Sequence, residues 1–196
     1  MNVSRETAER LATYGTMVKK WNPRINLVSA STIPSLRARH IDDCAQIIDH
    51  SGAVKGRWVD LGSGGGFPGI VVAILAADWE LDVTLVESDQ RKSAFLRAVL
   101  RETGLTRASV ISDRIEAVPP LEADHVSARA LAPLSSLLPM VARHMQPQGQ
   151  AWLMKGQAWR QEYQAAKGDW RFDLRAIPSK TDPEAAILNI TGVSHA

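Results

Sequence analysis

The sequence predicts an α/β fold, in which a mainly parallel sheet carries helices on both faces and follows a helical extension. Two observations lead to this prediction. Apolar positions in residues 1–56 recur at the helical spacings of three and four, whereas from residue 57 onward short β-branched runs alternate with helical stretches. Such alternation is typical of parallel strands joined by crossover helices. We therefore expect an N-terminal helical extension over residues 1–56 and one compact domain over residues 57–196.

The extension is predicted to hold two helices. In the first, Leu11, Tyr14, Val18 and Trp21 lie on one face, and the helix is expected to end near Asn22 because a proline follows. The second is predicted over residues 40–49, with a serine and a glycine as its stop.

The domain is predicted to contain seven strands. They are expected at residues 58–61, 82–86, 108–112, 125–128, 151–154, 172–177 and 186–191. Helices are predicted over residues 69–77, 90–103 and 134–145. The last two strands would close the sheet and could run antiparallel.

Composition restricts the class of protein. The chain is 45% hydrophobic and 22% charged, which is near the average of globular proteins. A single cysteine, Cys44, allows neither an internal disulfide nor a cysteine-based metal cluster, and it is expected to be a small buried hydrophobe. His40 with Asp42 and Asp43 lacks a second histidine at ligand spacing, so we expect no metal. No run reaches the length of a membrane span, and we expect a cytoplasmic protein.

Positive charge is concentrated at the start of the chain. Residues 1–40 carry seven basic side chains against two acidic ones, although the whole chain has a net charge of only +2. Clustered cations favour the approach of phosphates. A solvated helix face is the alternative interpretation of the same charges.

A glycine-rich stretch follows the first predicted strand. Residues 58–69 read Trp-Val-Asp-Leu-Gly-Ser-Gly-Gly-Gly-Phe-Pro-Gly. Glycines let the backbone turn tightly and approach a ligand, and ligands of open α/β sheets bind at the carboxyl ends of strands. The spacing Gly64-x-Gly66-x-x-Gly69 also satisfies the dinucleotide fingerprint, so spacing alone leaves both NAD and S-adenosylmethionine open.

Acidic residues around this stretch favour S-adenosylmethionine. Asp60 precedes the first glycine, where an anion would favour a cationic ammonium but not a pyrophosphate. Glu87 follows the second strand and is predicted to accept hydrogen bonds from ribose hydroxyls. After the third strand, Ile115 could pack on an adenine ring and Glu116 could bind its amine, although a helix N-terminus is an equally open interpretation.

Four motifs together resemble the RsmG (GidB) family of methyltransferases. They are an N-terminal signature made of residues 21–28 and 39–43, the glycine stretch, Ser127–Ala130, and Leu153–Gly156. The resemblance covers roughly residues 10–192 and implies a Rossmann-like class I methyltransferase fold. It implies transfer of a methyl group from S-adenosylmethionine to N7 of one guanine in 16S ribosomal RNA. The implied partner is this RNA or the small ribosomal subunit, and we expect a monomer.

The resemblance and the physical argument together give a set of expected site residues. The expected cofactor contacts are Asp60, Gly62, Gly64, Phe67, Glu87, Ile115, Glu116 and Arg129. Arg129 and Lys155 are expected to position the substrate, and Phe67 could stack on the base or be buried against a helix. The expected RNA contacts are Arg37, Arg39, Arg91, Arg114 and Lys155.

The implied reaction needs no acid or base residue. Guanine N7 carries a free lone pair and no proton, so it can attack the methyl group in line without a general base. Positioning can then supply a large part of the rate advantage. Three alternatives stay open at this point: an NAD(P)-dependent oxidoreductase, a non-catalytic RNA-binding or ribosome-assembly factor, and a methyltransferase acting on a small molecule or protein.

Overall fold

The computed structural model describes residues 3–196, and its centre is one seven-stranded sheet in the order β3-β2-β1-β4-β5-β7-β6. The strands are β1 Gly56–Leu61, β2 Leu81–Val86, β3 Ala108–Ile111, β4 Ala123–Arg129, β5 Met145–Lys155, β6 Trp170–Pro178 and β7 Ala186–His195. Strands β1 to β5 are parallel, and β7 runs antiparallel to both β5 and β6. The predicted seven-stranded, mainly parallel sheet is confirmed.

Helices cover both faces of this sheet. They are α1 Arg5–Ile25, α2 Asp42–Ser51, α3 Gly69–Leu75, α4 Gln90–Glu102, α5 Leu134–His144 and α6 Trp159–Ala166. A 3-10 helix, Ala30–Ser35, and a π-helical turn, Arg37–Ile41, connect α1 with α2. Helix α6 was absent from the prediction. No helix in the described part of the chain is long and apolar enough to cross a membrane.

Successive residues of β1 point to opposite faces and so divide the core in two. Trp58 belongs to the cluster that contains α3 and α4, whereas Val59 belongs to the cluster under α5. The extension packs on the first of these faces, because Leu11 and Tyr14 share a cluster with Phe95 of α4. The extension and the sheet therefore share one hydrophobic core.

The prediction for the first helix was wrong at its end. Helix α1 continues through Pro23 to Ile25, three residues past Asn22. Proline is tolerated there because it removes only one N–H near the last turn. After the helix, the side chain of Asn22 orders the chain by accepting hydrogen bonds from the backbone amides of Leu27, at 2.8 Å, and Val28, at 2.9 Å.

Candidate functional site

The glycine loop leaves β1 at its carboxyl end in a backbone conformation that glycine favours. Gly62, Gly64 and Gly66 have φ angles of 65°, 55° and 92°, which side chains of other L-residues rarely allow. The carbonyl of Gly65 accepts a hydrogen bond of 2.7 Å from the buried hydroxyl of Tyr14 in α1. The extension thus holds the loop directly.

Glu87 holds the loop from the other side. Its Oε2 accepts a hydrogen bond of 2.7 Å from the amide of Gly64, and its Oε1 accepts one of 2.7 Å from the amide of Asp89. Each carboxylate oxygen has a second lone pair, so both can accept a further hydrogen bond from a ligand. Glu87 lies at the end of β2, where the sequence predicted a ribose-binding acid.

A first cavity of about 440 Å³ opens between the glycine loop and the ends of β2 and β4. This volume lies within the usual range of small-molecule sites. The cavity brings together most of the residues expected to contact the cofactor: Gly62, Gly64, Phe67, Glu87, Ile115, Glu116 and Arg129. It is also lined by residues that the sequence did not indicate, namely Leu27, Ser88, Lys92, Asp113, Leu131 and Met140. Ser88 and Lys92 follow Glu87 closely, Asp113 lies two residues before Ile115, and Leu27 lies in the motif at residues 21–28, so these four could have been found from the chain alone.

Asp60 is the exception among the expected cofactor contacts. Its side chain is fully buried beneath the loop and does not line the first cavity. Oδ1 accepts a hydrogen bond of 2.6 Å from the hydroxyl of Ser127, which in turn accepts one from the indole N–H of Trp58 at 2.9 Å. A Cβ at Gly69 would come within 2.6 Å of Asp60 Oδ2. The direct contact with a ligand ammonium is therefore corrected: Asp60 packs against the start of α3 and shapes the loop from below.

Burial gives Asp60 an unusual ionisation. It raises the pKa of this carboxyl from 3.8 to about 6, against the hydrogen bond from Ser127, which lowers it. A carboxyl that must lose water to become buried favours its neutral form.

Arg129 ends β4 and lies at the boundary between two cavities. Its Nη2 is 2.7 Å from Nδ1 of His40, and its Nη1 is 3.6 Å from Oδ2 of Asp43. The guanidinium carbon lies 5.0 Å from the centre of the Phe67 ring. Three contacts from the extension and the loop therefore fix a side chain that the sequence predicted at the meeting point of cofactor and substrate.

His40 is held in one neutral tautomer by these contacts. Because Arg129 can only donate, Nδ1 of His40 must accept, and the proton lies on Nε2, which donates to Thr32 Oγ1 at 2.8 Å. Burial, followed by the charge of Arg129, lowers the pKa of His40 to about 4. The ring centre lies 5.1 Å from that of Phe67, which is itself only 5% exposed. Phe67 is thus buried between neighbours, one of the two roles considered for it.

A second cavity, of about 640 Å³, lies on the other side of Arg129. The two cavities share a wall made of Arg129, Ala130 and Leu131. The second cavity is also lined by side chains of the extension, of the β5 end and of the β6–β7 loop. The sequence did not predict this cavity as such, because its residues are spread from Thr32 to Ile187, although three residues expected to contact the substrate or RNA line it: Arg39, Arg129 and Lys155.

Lys155 is bonded within the protein. Its Nζ lies 2.6 Å from Oε2 of Glu162 in α6 and donates a hydrogen bond of 2.7 Å to the carbonyl of Ala132. Only 8% of its side chain is exposed. This corrects the expectation that Lys155 is free to contact RNA: it ties β5 to α6 and to the loop before α5.

The other four expected RNA contacts are exposed but differ in their partners. The side chain of Arg37 pairs with Asp42 at 3.3 Å, that of Arg91 with Asp89 at 3.3 Å, and that of Arg114 with Glu116 at 3.7 Å. Arg39 forms no ion pair with any described residue and lines the second cavity. Arg114 lines the first cavity, whereas Arg91 lines neither.

Comparison with known proteins identifies close relatives. A family model described as GidB, rRNA small subunit methyltransferase G, matches residues 7–187. The chain is 57% identical over 196 residues to ribosomal RNA small subunit methyltransferase G of Paracoccus denitrificans (strain Pd 1222), with 100% of both chains covered. It is 52% identical to the protein of the same name from Ruegeria pomeroyi, covering 99% of this chain and 95% of that one.

Solved structures with the same fold are more distant in sequence. A SAM-dependent methyltransferase from Aquifex aeolicus superposes with a TM-score of 0.64 at 12% identity, covering 90% of this chain and 97% of that one. An S-adenosyl-L-methionine-dependent methyltransferase from Methanococcus maripaludis gives 0.62 at 12% identity, covering 100% and 98%. The class I methyltransferase fold predicted from the sequence is confirmed.

The raised pKa of Asp60 leads to a testable pH dependence of stability. Because the pKa of Asp60 in the folded protein, about 6, exceeds the ordinary 3.8, the contribution of neutral Asp60 to the free energy of unfolding is fully present below about pH 4. It is lost as pH rises through about 6. Asp60→Asn cannot ionise, so its free energy of unfolding should lack this decline. Between about pH 4 and pH 7 the wild type should lose about 2 to 3 kcal/mol relative to the variant in urea unfolding. Asp82→Asn, at an exposed position, is the control, and parallel profiles for wild type and Asp60→Asn would contradict the assignment.

Proposed function

The chain belongs to the rRNA small subunit methyltransferase G family, and from that premise we propose that it methylates N7 of a guanine in 16S ribosomal RNA. The methylation of small-subunit ribosomal RNA, with S-adenosylmethionine as methyl donor, follows from the family. The observation that supports the finer proposal is the pair of cavities that meet at Arg129. One has the features of a nucleoside cofactor site, and the other can receive a base beside it.

The residues of the first cavity fit S-adenosylmethionine. The carboxylate of Glu87 has free lone pairs for two ribose hydroxyls, and Ile115 offers an apolar surface for an adenine ring. A Cβ at Gly64 would have only the carbonyl oxygen of Gly62, at 3.8 Å, for a neighbour, so the loop leaves open space on this side. The cofactor, when bound, supplies a methyl group on a sulfonium, which a guanine lone pair can accept without loss of a proton.

The protein's contribution to this reaction is position and not proton transfer. Burial raises the pKa of the Cys44 thiol to about 12, so this thiol stays protonated. His40 uses both ring nitrogens in hydrogen bonds to Arg129 and Thr32. The thiol of Cys44 and the imidazole of His40 are thus neutral or occupied, which supports an in-line attack by N7 without a general base.

We extend the proposal to the partner and the setting. The acceptor would be 16S ribosomal RNA, either free or in the small subunit, and the enzyme would act as a monomer in the cytoplasm. Family membership also decides among the alternatives considered for the sequence. It favours a methyltransferase over an NAD(P)-dependent oxidoreductase, although the glycine spacing fits both.

The direct test is transfer of a labelled methyl group to small ribosomal subunits that lack this modification. The labelled RNA would then be digested and the modified base identified. A single N7-methylguanine is the expected product. Label at another base or another atom of guanine would overturn the proposed acceptor while leaving the methyltransferase activity intact.

Substitution of Gly62 tests the position of the cofactor. A side chain there would meet Leu131 at 2.6 Å in a backbone region that L-residues rarely adopt, and it would enter the first cavity. Gly62→Val should reduce S-adenosylmethionine binding, measured by calorimetry, by at least about 100-fold with little change in RNA affinity. The control is Gly104→Val, since Gly104 has the same φ of 65° but has no neighbouring atom within 4 Å. Equal cofactor affinity in both variants would contradict the placement.

The arginines of the π-helical turn should contribute to RNA binding. We expect the double variant Arg37→Ala, Arg39→Ala to bind RNA more weakly. The slope of log affinity against log salt concentration should become shallower by about one to two. Arg37 should contribute less, because it already pairs with Asp42. The control is Arg57→Ala with Arg107→Ala, which removes the same charge at the amino-terminal ends of β1 and β3, opposite to the carboxyl ends where the site lies. An equal salt dependence in both double variants would show that the arginines of the turn are solvated surface charges and do not contact RNA.

A further inference from the structure

The second cavity has the position of an acceptor site, since it touches the first cavity through the wall of Arg129, Ala130 and Leu131. We propose that it binds the methylated guanine base and that Asp182 reads the Watson–Crick edge of that base. The carboxylate would accept hydrogen bonds from guanine N1–H and from the exocyclic N2 amino group. This inference rests on the proposed function, because it concerns the recognition of the same acceptor.

Three acidic side chains line the second cavity: Asp43, Glu162 and Asp182. Both carboxylate oxygens of Asp43 already contact other residues of the protein. Its Oδ1 accepts hydrogen bonds from Gln46 at 3.1 Å, from Ser179 at 3.0 Å and from Thr181. Its Oδ2 faces Arg129. A ligand could bind this carboxylate only by displacing bonds that hold the β6–β7 loop.

Glu162 also contacts other residues of the protein. Its Oε2 lies 2.6 Å from the ammonium of Lys155 and also accepts a hydrogen bond of 2.9 Å from the amide of Leu134 at the start of α5. Its charge is therefore balanced within the protein. Among the acids of the cavity, Asp182 alone forms no ion pair with the described residues.

Asp182 lies half-buried on the loop between β6 and β7. Its Oδ1 accepts a hydrogen bond of 3.0 Å from the amide of Glu184, which orients the carboxylate. The second lone pair of Oδ1 and both lone pairs of Oδ2 stay available for a ligand. Among the described residues that line this cavity, Arg39 is the one cation without an ion pair to a carboxylate, and its exposed side chain can reach the phosphates that flank an extruded base.

A carboxylate suits guanine among the four bases. Guanine presents two adjacent donors, N1–H and the N2 amino group, and enzymes that act on an extruded base read it by hydrogen bonds to this edge. N7 lies on the opposite side of the base. A guanine whose N1 and N2 face Asp182 therefore directs N7 away from the β6–β7 loop. The wall between the second cavity and the first is formed by Arg129 and its neighbours.

The charge that the reaction creates also favours this arrangement. When the N7 lone pair forms the bond to the methyl carbon, the electron pair of the broken carbon–sulfur bond stays on sulfur, and the positive charge passes to the base. A methylated guanine is a stronger N1–H donor than the unmethylated base. Its hydrogen bond to a carboxylate would strengthen as the reaction proceeds, which is the requirement for a contact that lowers the barrier.

The test compares guanine with inosine at the acceptor position, because inosine keeps N7 and N1–H but lacks the N2 amino group. Small subunits would be reconstituted with 16S RNA carrying either base, and kcat/KM for methyl transfer would be measured. The wild type should prefer guanine roughly 10- to 100-fold. Asp182→Asn should lower kcat/KM on guanine by a similar factor and reduce the preference to within about threefold, with unchanged S-adenosylmethionine affinity.

Glu184→Gln provides the matched control, because Glu184 is an exposed acid on the same loop and does not line the cavity. It should keep the wild-type preference. An unchanged guanine preference in Asp182→Asn, with N7-methylguanine still formed by the wild type, overturns the role of Asp182 alone. A wild-type product other than N7-methylguanine overturns the proposed function itself.

Discussion

The rest of the site depends on a loop that cannot hold its own shape. The glycines between β1 and α3 have no side chains to pack, and their backbone loses more freedom on folding than any other. Groups from outside therefore fix it: the Tyr14 hydroxyl bonds the Gly65 carbonyl, and the Glu87 carboxylate bonds the Gly64 amide. Below the loop, the absence of a side chain at Gly69 lets Asp60 lie against the backbone. The first cavity keeps its form because Tyr14 of α1, Asp60 of β1 and Glu87 at the end of β2 each contact the loop.

This arrangement makes the N-terminal extension part of the active region. The extension supplies Tyr14 to the loop, and it supplies His40 and Asp43 to the guanidinium of Arg129. Asp43 also accepts hydrogen bonds from Ser179 on the far side of the second cavity, so one carboxylate joins α2, β4 and the β6–β7 loop. The division at residue 56 describes the order of the chain, whereas the packing and the hydrogen bonds cross it throughout.

The sequence could predict what depends on neighbours along the chain. Alternating strand and helix patterns gave the sheet, and the glycine stretch with Glu87 gave one wall of the first cavity. It could not predict which way a buried ionisable side chain points: Asp60 and Lys155 lie beside the expected site, yet their partners, Ser127 and Glu162, come from other elements. The second cavity was missed for the same reason, since its wall is assembled from segments far apart in sequence.

The charge of Arg129 affects both cavities, because its side chain lines each of them. A fixed cation beside a sulfonium would oppose cofactor binding, but Asp43 lies 3.6 Å from the guanidinium and the Phe67 ring lies against it, which reduces that opposition. With Lys155 balanced by Glu162, the second cavity is left with Asp182 facing inward and Arg39 at the exposed side. In the proposed transfer, positive charge leaves the first cavity and arrives in the second. The available carboxylate lies on the receiving side, so the arrangement that binds the neutral base would favour the charged product state more strongly.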